Sequence, residues 1–177
     1  YFFSLKSLVI FLSKRIKGPY ILQEGIDLLH VEGGPVDFRV LMQKNGKGQW
    51  QVTSLVARIG GQNQIVSNIS RGGKMARALP TLKLCGVAHP QALRQKMVAL
   101  AKEAAKAIDQ GKNGLLGELG IDLAVTAQEK IYILEVNAKP SKTAEALPAQ
   151  GKKVRPSVRH LVEYTLYLSR MGDEVES

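Results

Sequence analysis

Two apolar stretches carry acids in their middles. In GELGIDLAVT, Gly117 to Thr126, the residues Glu118, Gly120, Asp122 and Ala124 alternate with Leu119, Ile121, Leu123 and Val125, the period-two pattern of a strand. In IYILEVN, Ile131, Ile133, Glu135 and Asn137 share one strand face, and the link Ala127 to Lys130 suits a hairpin loop. If Thr126 pairs with Ile131, Asp122 lies directly opposite Glu135. Two carboxylates at one cross-strand pair repel each other, so either one holds a proton or a cation sits between them. Asn137 adds an amide oxygen one pleat along. Such hard ligands suit magnesium, which takes its remaining oxygens from water and phosphates. Two acids at a wet sheet edge with no function is the plain alternative.

Cationic residues surround this pair in the pattern. Runs from Val36 to Lys44 and from Gln49 to Ile59 flank Asn45-Gly46-Lys47-Gly48, a strong hairpin signal. With Lys44 paired to Gln49, Arg39 faces Ser54, and Arg39 and Arg58 fall on one face together with Leu41, Trp50, Val52 and Val56. Two arginines beside an apolar strip need an anionic partner, and one bulge would break that parity. Further on, Asn68 to Lys74 sets Arg71 and Lys74 around Gly72-Gly73, where backbone N–H groups can approach an anion closely. An ordinary basic turn has the same composition.

The elements that would carry these residues follow. Ser4 caps a helix with Leu5, Leu8, Val9, Leu12 and Ile16 on one stripe, ended by Gly18-Pro19. It reads as a helix packed on a sheet or as a basic amphipathic membrane-surface helix. Tyr20 to Gln23 reads as a short strand, Gly33 to Pro35 as part of a polar loop, and Gln64 to Ser67 as another short strand. Pro90 opens a helix with Leu93, Met97, Leu100, Ala101, Ala104 and Ile108 on one stripe, and Gly111 stops it. Strands are expected from Leu115 to Thr126 and from Lys130 to Asn137. Ser141 to Arg155 reads as a mobile basic loop. The last helix starts at Pro156, with Val158, Leu161, Val162, Thr165 and Leu168 inward and a frayed tail from Gly172. The fold class is α+β, an antiparallel sheet flanked by helices.

Composition bounds the function. The 177 residues suit one domain or part of one, and 45% apolar residues can build a core. No apolar run of membrane-spanning length occurs. One cysteine, Cys85, excludes an internal disulfide, and His30, His89 and His160 have no ligand spacing. The formal charge of +10 points to anionic partners such as nucleotide, phosphate, nucleic acid or a membrane surface. Five tyrosines and four phenylalanines form no basic–aromatic platform, which argues against nucleic acid. The chain begins with Tyr1, lacks a signal-peptide pattern, and reads as a piece of something longer.

The ordered set YILQEGI, DFRV, ARIG, SNISRGGK, GIDLAV and LEVNAKPS resembles the C-terminal part of an ATP-grasp domain, closest to the endospore coat-associated YheC/YheD-like branch. It is similar in layout to ribosomal-protein glutamate ligases and glutathione synthases. The resemblance implies residues 1–19 as the end of the lid subdomain, 20–170 as the ATP-grasp C-terminal subdomain, and 171–177 as a tail. It implies that Gln23, Glu24 and Ile26 lie on the segment that binds adenine through backbone groups. Asn68 and Arg71 would flank the triphosphate of ATP, Arg39 and Arg58 would serve catalysis, and Asp122, Glu135 and Asn137 would hold Mg2+. The implied reaction is phosphorylation of a carboxylate by ATP followed by attack of an amine. The glycine-rich lid and its lysines would lie before Tyr1, and Ser141 stands where relatives often have glycine after the proline.

Two functions follow from the resemblance. One is an ATP- and magnesium-dependent carboxylate–amine ligase, of which this chain alone is expected to be inactive and prone to self-association through its exposed wall. The other is a spore coat-associated protein that keeps the fold without ligase chemistry. The expected location is cytoplasmic, with spore or spore-coat association.

Overall fold

A computed structural model describes residues 2–21, 23–61, 73–111, 115–140 and 154–175, the side chains of 172–175 excepted. Its centre is a fully antiparallel sheet in the order β4-β3-β2-β5-β6, formed by Lys74–Arg77 (β4), Trp50–Ile59 (β3), Gly34–Lys44 (β2), Glu118–Val125 (β5) and Ile131–Asn137 (β6). Leu29–Val31 (β1) pairs with residues 34 to 36 of β2, in line with β5, which pairs with residues 37 to 43. The expected α+β class is therefore observed.

Alternation decides which face is the core. Val36, Phe38, Val40 and Met42 of β2 and Leu119, Ile121, Leu123 and Val125 of β5 are buried on one face. The helices Ala78–Leu84 (α2) and Pro90–Gln110 (α3) cover it, with Leu82, Leu93, Met97, Ala101 and Ala105 inward. Pro90 and Gly111 delimit α3 as expected. At the end of this layer Lys44 is buried. Its ammonium lies 2.9 Å from Asp109 at the end of α3 and faces the rings of Trp50 and Tyr164.

Both long hairpins turn differently from the four-residue links read in the sequence. In the first, Asn45 N donates to Gln49 O and Gly48 N to Asn45 O, which closes a three-residue loop with Gly48 at φ +69. In the second, Thr126 N donates to Lys130 O and Glu129 N to Thr126 O, with Glu129 at φ +59. Each is the type I turn with a left-handed last residue common in three-residue hairpins. The shorter loops shift both registers by one, so Lys44 pairs with Trp50 and Val125 with Ile131.

A bulge then shifts each register again. Thr53 is unpaired between the pairs Met42–Val52 and Leu41–Ser54, and Leu134 between Leu123–Ile133 and Asp122–Glu135. Trp50 and Val52 consequently lie on the core face, not beside the arginines, and Ile131 and Ile133 pair on the core-facing side, not with Glu135. A single strand cannot offer both its apolar and its polar residues to their proper sides at a strict period of two. One extra residue reverses the parity midway.

Other expectations need correction. Tyr20, Ile21 and Gln23 lie outside any strand, and β1 forms instead, turning through Glu32 (φ 51) and Gly33 (φ 79) into β2. Positive φ at both central residues is the type I′ geometry that matches strand twist. The sequence reading had a loop there, and it also missed β4 and α2. The first helix, Leu5–Arg15 (α1), has its Ser4 cap, with Ser7 N donating to Ser4 Oγ, but buries no side chain, so it does not pack on the sheet. The last helix, Pro156–Val175 (α4), runs past Gly172. It buries Ser157 and Tyr164 and half-buries His160, Leu161 and Leu168, while Val158, Val162 and Thr165 are exposed. The aromatic and imidazole groups fill this contact, because α4 closes the turn end of β2 and β3. Tyr164 and Tyr167 would collide with a Cβ at Gly117 and Gly48. The expected short strand Gln64 to Ser67 and most of the loop expected from Ser141 to Arg155 lie outside the described residues. Among the described residues no helix is long and apolar enough to cross a membrane.

Candidate functional site

The sheet face opposite α2 and α3 has two halves. Near the turns it is closed by α4. Gln43 Nε2 donates to Ser157 O and Glu118, and Thr53 Oγ1 bonds to Gln43 and His160. At the other end the same strands present charge. Residues 37 and 39 of β2 pair with 58 and 56 of β3, and Arg39 pairs with Asp122, which pairs with Glu135. Asp37, Arg39, Arg58, Asp122 and Glu135 therefore share this face. The shared face of Arg39 and Arg58 was read from a register now seen to be off by two. The loop and the bulge each moved it by one, so parity survived.

Arg39 binds both oxygens of Asp122 through Nε and Nη2, the latter at 2.8 Å. Arg58 binds both oxygens of Asp37 and reaches Asp122 Oδ2 at 2.9 Å. Bidentate pairs of this kind fix guanidinium planes as well as charges. Burial alone would lower the pKa of Arg58, but the hydrogen bonds and charge of Asp37, with those of Asp122, outweigh it and hold the pKa above its ordinary value. The two acids opposite one another are thus not simply left to repel. Asp122 is neutralised by arginines, while Glu135 is exposed and pairs with no described side chain.

A cleft of about 410 Å³ opens on this group. Gln23, Glu24 and Ile26 form one side of it, and Asp37, Arg58, Asp122 and Glu135 the other. A second cleft of about 310 Å³ lies against the same 23–27 segment, beside Tyr132 and Ile133. The segment expected to touch adenine is therefore next to the acids and arginines, though it lies there as irregular chain and not as a strand. Asn137 pairs with Gly120 one rung from Glu135. Arg39 packs over Gly120, where a Cβ would meet its Nη1 at 3.3 Å and Pro140 at 2.7 Å. Asn68 and Arg71 lie outside the described residues. Asp37 was not singled out in the sequence, although its position two residues before Arg39 on one strand places it on the same face.

The donor set bears on magnesium. Among the described residues no three His, Cys, Asp or Glu side chains gather as a metal cage. Two carboxylates and an amide on neighbouring rungs are instead an open oxygen set, the kind that magnesium shares with substrate phosphates. The set fits that ion in chemistry, with Asp122 engaged by arginines in this state.

An antiparallel sheet with α2 and α3 on one face and α4 over part of the other, its remaining charged face open to a cleft beside the 23–28 segment, is an arrangement consistent with the ATP-grasp class. Within that class, residues 1–168 match the model of the YheC/D-like ATP-grasp family, and the chain belongs to that family. It is 30% identical over 150 residues to the endospore coat-associated protein YheD of Bacillus subtilis (strain 168), covering 85% of this chain and 33% of that protein. It is 25% identical over 129 residues to the endospore coat-associated protein YheC of the same organism, covering 73% of this chain and 35% of that protein. The chain thus spans about a third of the length of the curated relatives it matches.

Proposed function

We propose that this chain forms the acid-and-arginine wall of a Mg-ATP site, used in the whole protein to join a carboxylate to an amine. The observation that carries the reading is the cleft in which Gln23, Glu24 and Ile26 meet Arg58, Asp122 and Glu135. In this reading Gln23, Glu24 and Ile26 border adenine. Asp122, Glu135 and Asn137 hold magnesium, which when bound would neutralise charge on the transferred phosphoryl group. Arg39 and Arg58 take the remaining anionic charge, on phosphate and on the reacting carboxylate, in fixed planar orientation. Their bidentate salt bridges hold both guanidiniums at the cleft wall before substrate arrives. Asn68 and Arg71 complete the phosphate contacts. The carboxylate and amine are small molecules or peptide ends of unassigned identity.

The names of the relatives support spore coat association, and the second reading joins this to a fold that retains nucleotide binding without ligation. Glu135→Gln and Asp122→Asn in the full-length protein test the site common to both. Each keeps shape and removes charge. Calorimetric titration should show Mg-ATP binding weakened about tenfold or more, the scale of one lost charged contact, with metal-free ATP binding little changed. Equal losses with and without magnesium would remove these acids from the ligand set. Phosphate release that depends on an added amine would then favour ligation over the second reading.

A further inference from the structure

Two arginines converge on one acid. Arg39 covers both oxygens of Asp122, and Arg58 Nη2 reaches Asp122 Oδ2 at 2.9 Å. The same Nη2 lies 2.8 Å from Asp37 Oδ2, while Arg58 Nε is anchored on Asp37 Oδ1. All four side chains are at least mostly buried, Arg39 and Arg58 being 11% and 15% exposed. The quartet is balanced, with two carboxylates and two guanidiniums. A cation approaching Asp122 meets both its oxygens already bonded and two positive charges beside it. An anion drawing the guanidiniums away would uncover the acid. Arg58 would not be lost in that exchange, because its Nε bond to Asp37 does not involve Asp122.

We infer that the quartet is a gate: Arg39 and Arg58 close Asp122 to a divalent cation until an anion claims their guanidiniums, and Asp37 is the positioning residue that keeps Arg58 at the site when it releases Asp122. The inference rests on the magnesium reading above. It makes cation and anion binding mutually reinforcing, since each ligand displaces the partners that hold back the other.

Mn2+ alone, with no nucleotide, is the probe, and free Mn2+ is counted by electron paramagnetic resonance in titrations of the full-length protein. Arg58→Lys and Arg39→Lys keep the charge but cannot hold two oxygens in one plane. Each should bind Mn2+ about tenfold more tightly than the parent, the scale of one charged hydrogen bond. Asp37→Asn should weaken Mn2+ binding about threefold, because Arg58 then closes fully on Asp122, a shift of under one such bond. In an Arg58→Gln background Asp37→Asn should have no effect, which a role through bulk charge would not produce. Thermal melts identify any variant that does not fold, and the two lysine variants test the gate independently of Asp37. If both lysine variants bind Mn2+ like the parent while Asp122→Asn loses it, the gate is wrong and the magnesium reading stands. If Asp122→Asn binds like the parent, or if no variant binds Mn2+ at all, the magnesium reading fails and the gate with it.

Discussion

Gly120 sits between Glu118 and Asp122 on the charged face, and its missing side chain is the space that Arg39 and Pro140 occupy. A methyl group there would lie 2.7 Å from Pro140 Cβ and 3.3 Å from Arg39 Nη1. Carbon pairs are comfortable at roughly 3.5–4.0 Å, so Gly120→Ala forces a displacement of about 1 Å. Arg39 can yield a few tenths of an ångström at its end. Pro140 is buried, and it is a ring close behind the end of β6, so β6 and Asn137 must move with it. Overpacking of this type costs about 1–3 kcal/mol. For a chain of this size that lowers Tm by about 2–12 °C. Scanning calorimetry of the full-length protein beside Gly18→Ala gives the comparison, because nothing lies within 4 Å of a Cβ at Gly18 and its change should stay within about 0.5 kcal/mol. Mg-ATP affinity should fall as well, since both Arg39 and Asn137 are displaced. A Gly120→Ala protein as stable as the Gly18→Ala control would mean that Pro140 does not pack on this rung.

Asp109 holds the Lys44 ammonium and accepts from Trp50 Nε1 at 3.2 Å. Asp109→Ala orphans both donors and should cost about 2–4 kcal/mol, from one charged and one neutral hydrogen bond, whereas Asp109→Asn retains an acceptor and should cost less. Urea unfolding followed by Trp50 fluorescence reads both, and equal costs would refute the value of the retained acceptor and assign the contact to the carboxylate charge alone. Burial raises the pKa of the Cys85 thiol above its ordinary value. The neutral thiol is therefore favoured in the fold, and the unfolded chain ionises first as pH rises toward the ordinary thiol range, so stability falls there. Iodoacetamide at mildly alkaline pH should label Cys85 several-fold faster in urea than in the native protein, and equal rates would contradict its burial.

The core of the sheet was legible because it obeys one rule. The alternation in β5, with Leu119, Ile121, Leu123 and Val125 inward, needs no knowledge of its neighbours. The Asp122–Glu135 pair was also placed opposite one another as read, but through two compensating errors. The loop was one residue shorter than read, and Leu134 bulged by one. In the β2–β3 hairpin the two shifts add to two, which restored the parity of the Arg39–Arg58 face but left Trp50 and Val52, between the loop and the bulge, on the wrong side. Bulges are not marked by residue type here. What drives them is the conflict between an apolar half-strand and a polar one, visible only when both partners and the core are placed. The contacts of α4 were illegible for another reason. Tyr164 and His160 bury rings while keeping polar tips, and a stripe counted from Val158 and Val162 overlooks them.

The two halves of the charged face show why the site lies where it does. Both halves come from the same three strands, and both contain acids and hydrogen-bonding groups. At the α4 end Gln43 and Thr53 are satisfied within the protein. Gln43 takes Glu118, Ser157 O and Thr53, and Thr53 also meets His160. At the cleft end the arginines take the two acids as partners among the described residues, and Glu135 is exposed with no described partner. A buried salt bridge is weak evidence for stability, since desolvation offsets much of its attraction. Four such groups kept together at the wall of a cleft are better explained by the exchange of partners they permit. Burial and bidentate pairing keep the arginines fixed, and the cleft leaves room for the ligand that would rearrange them.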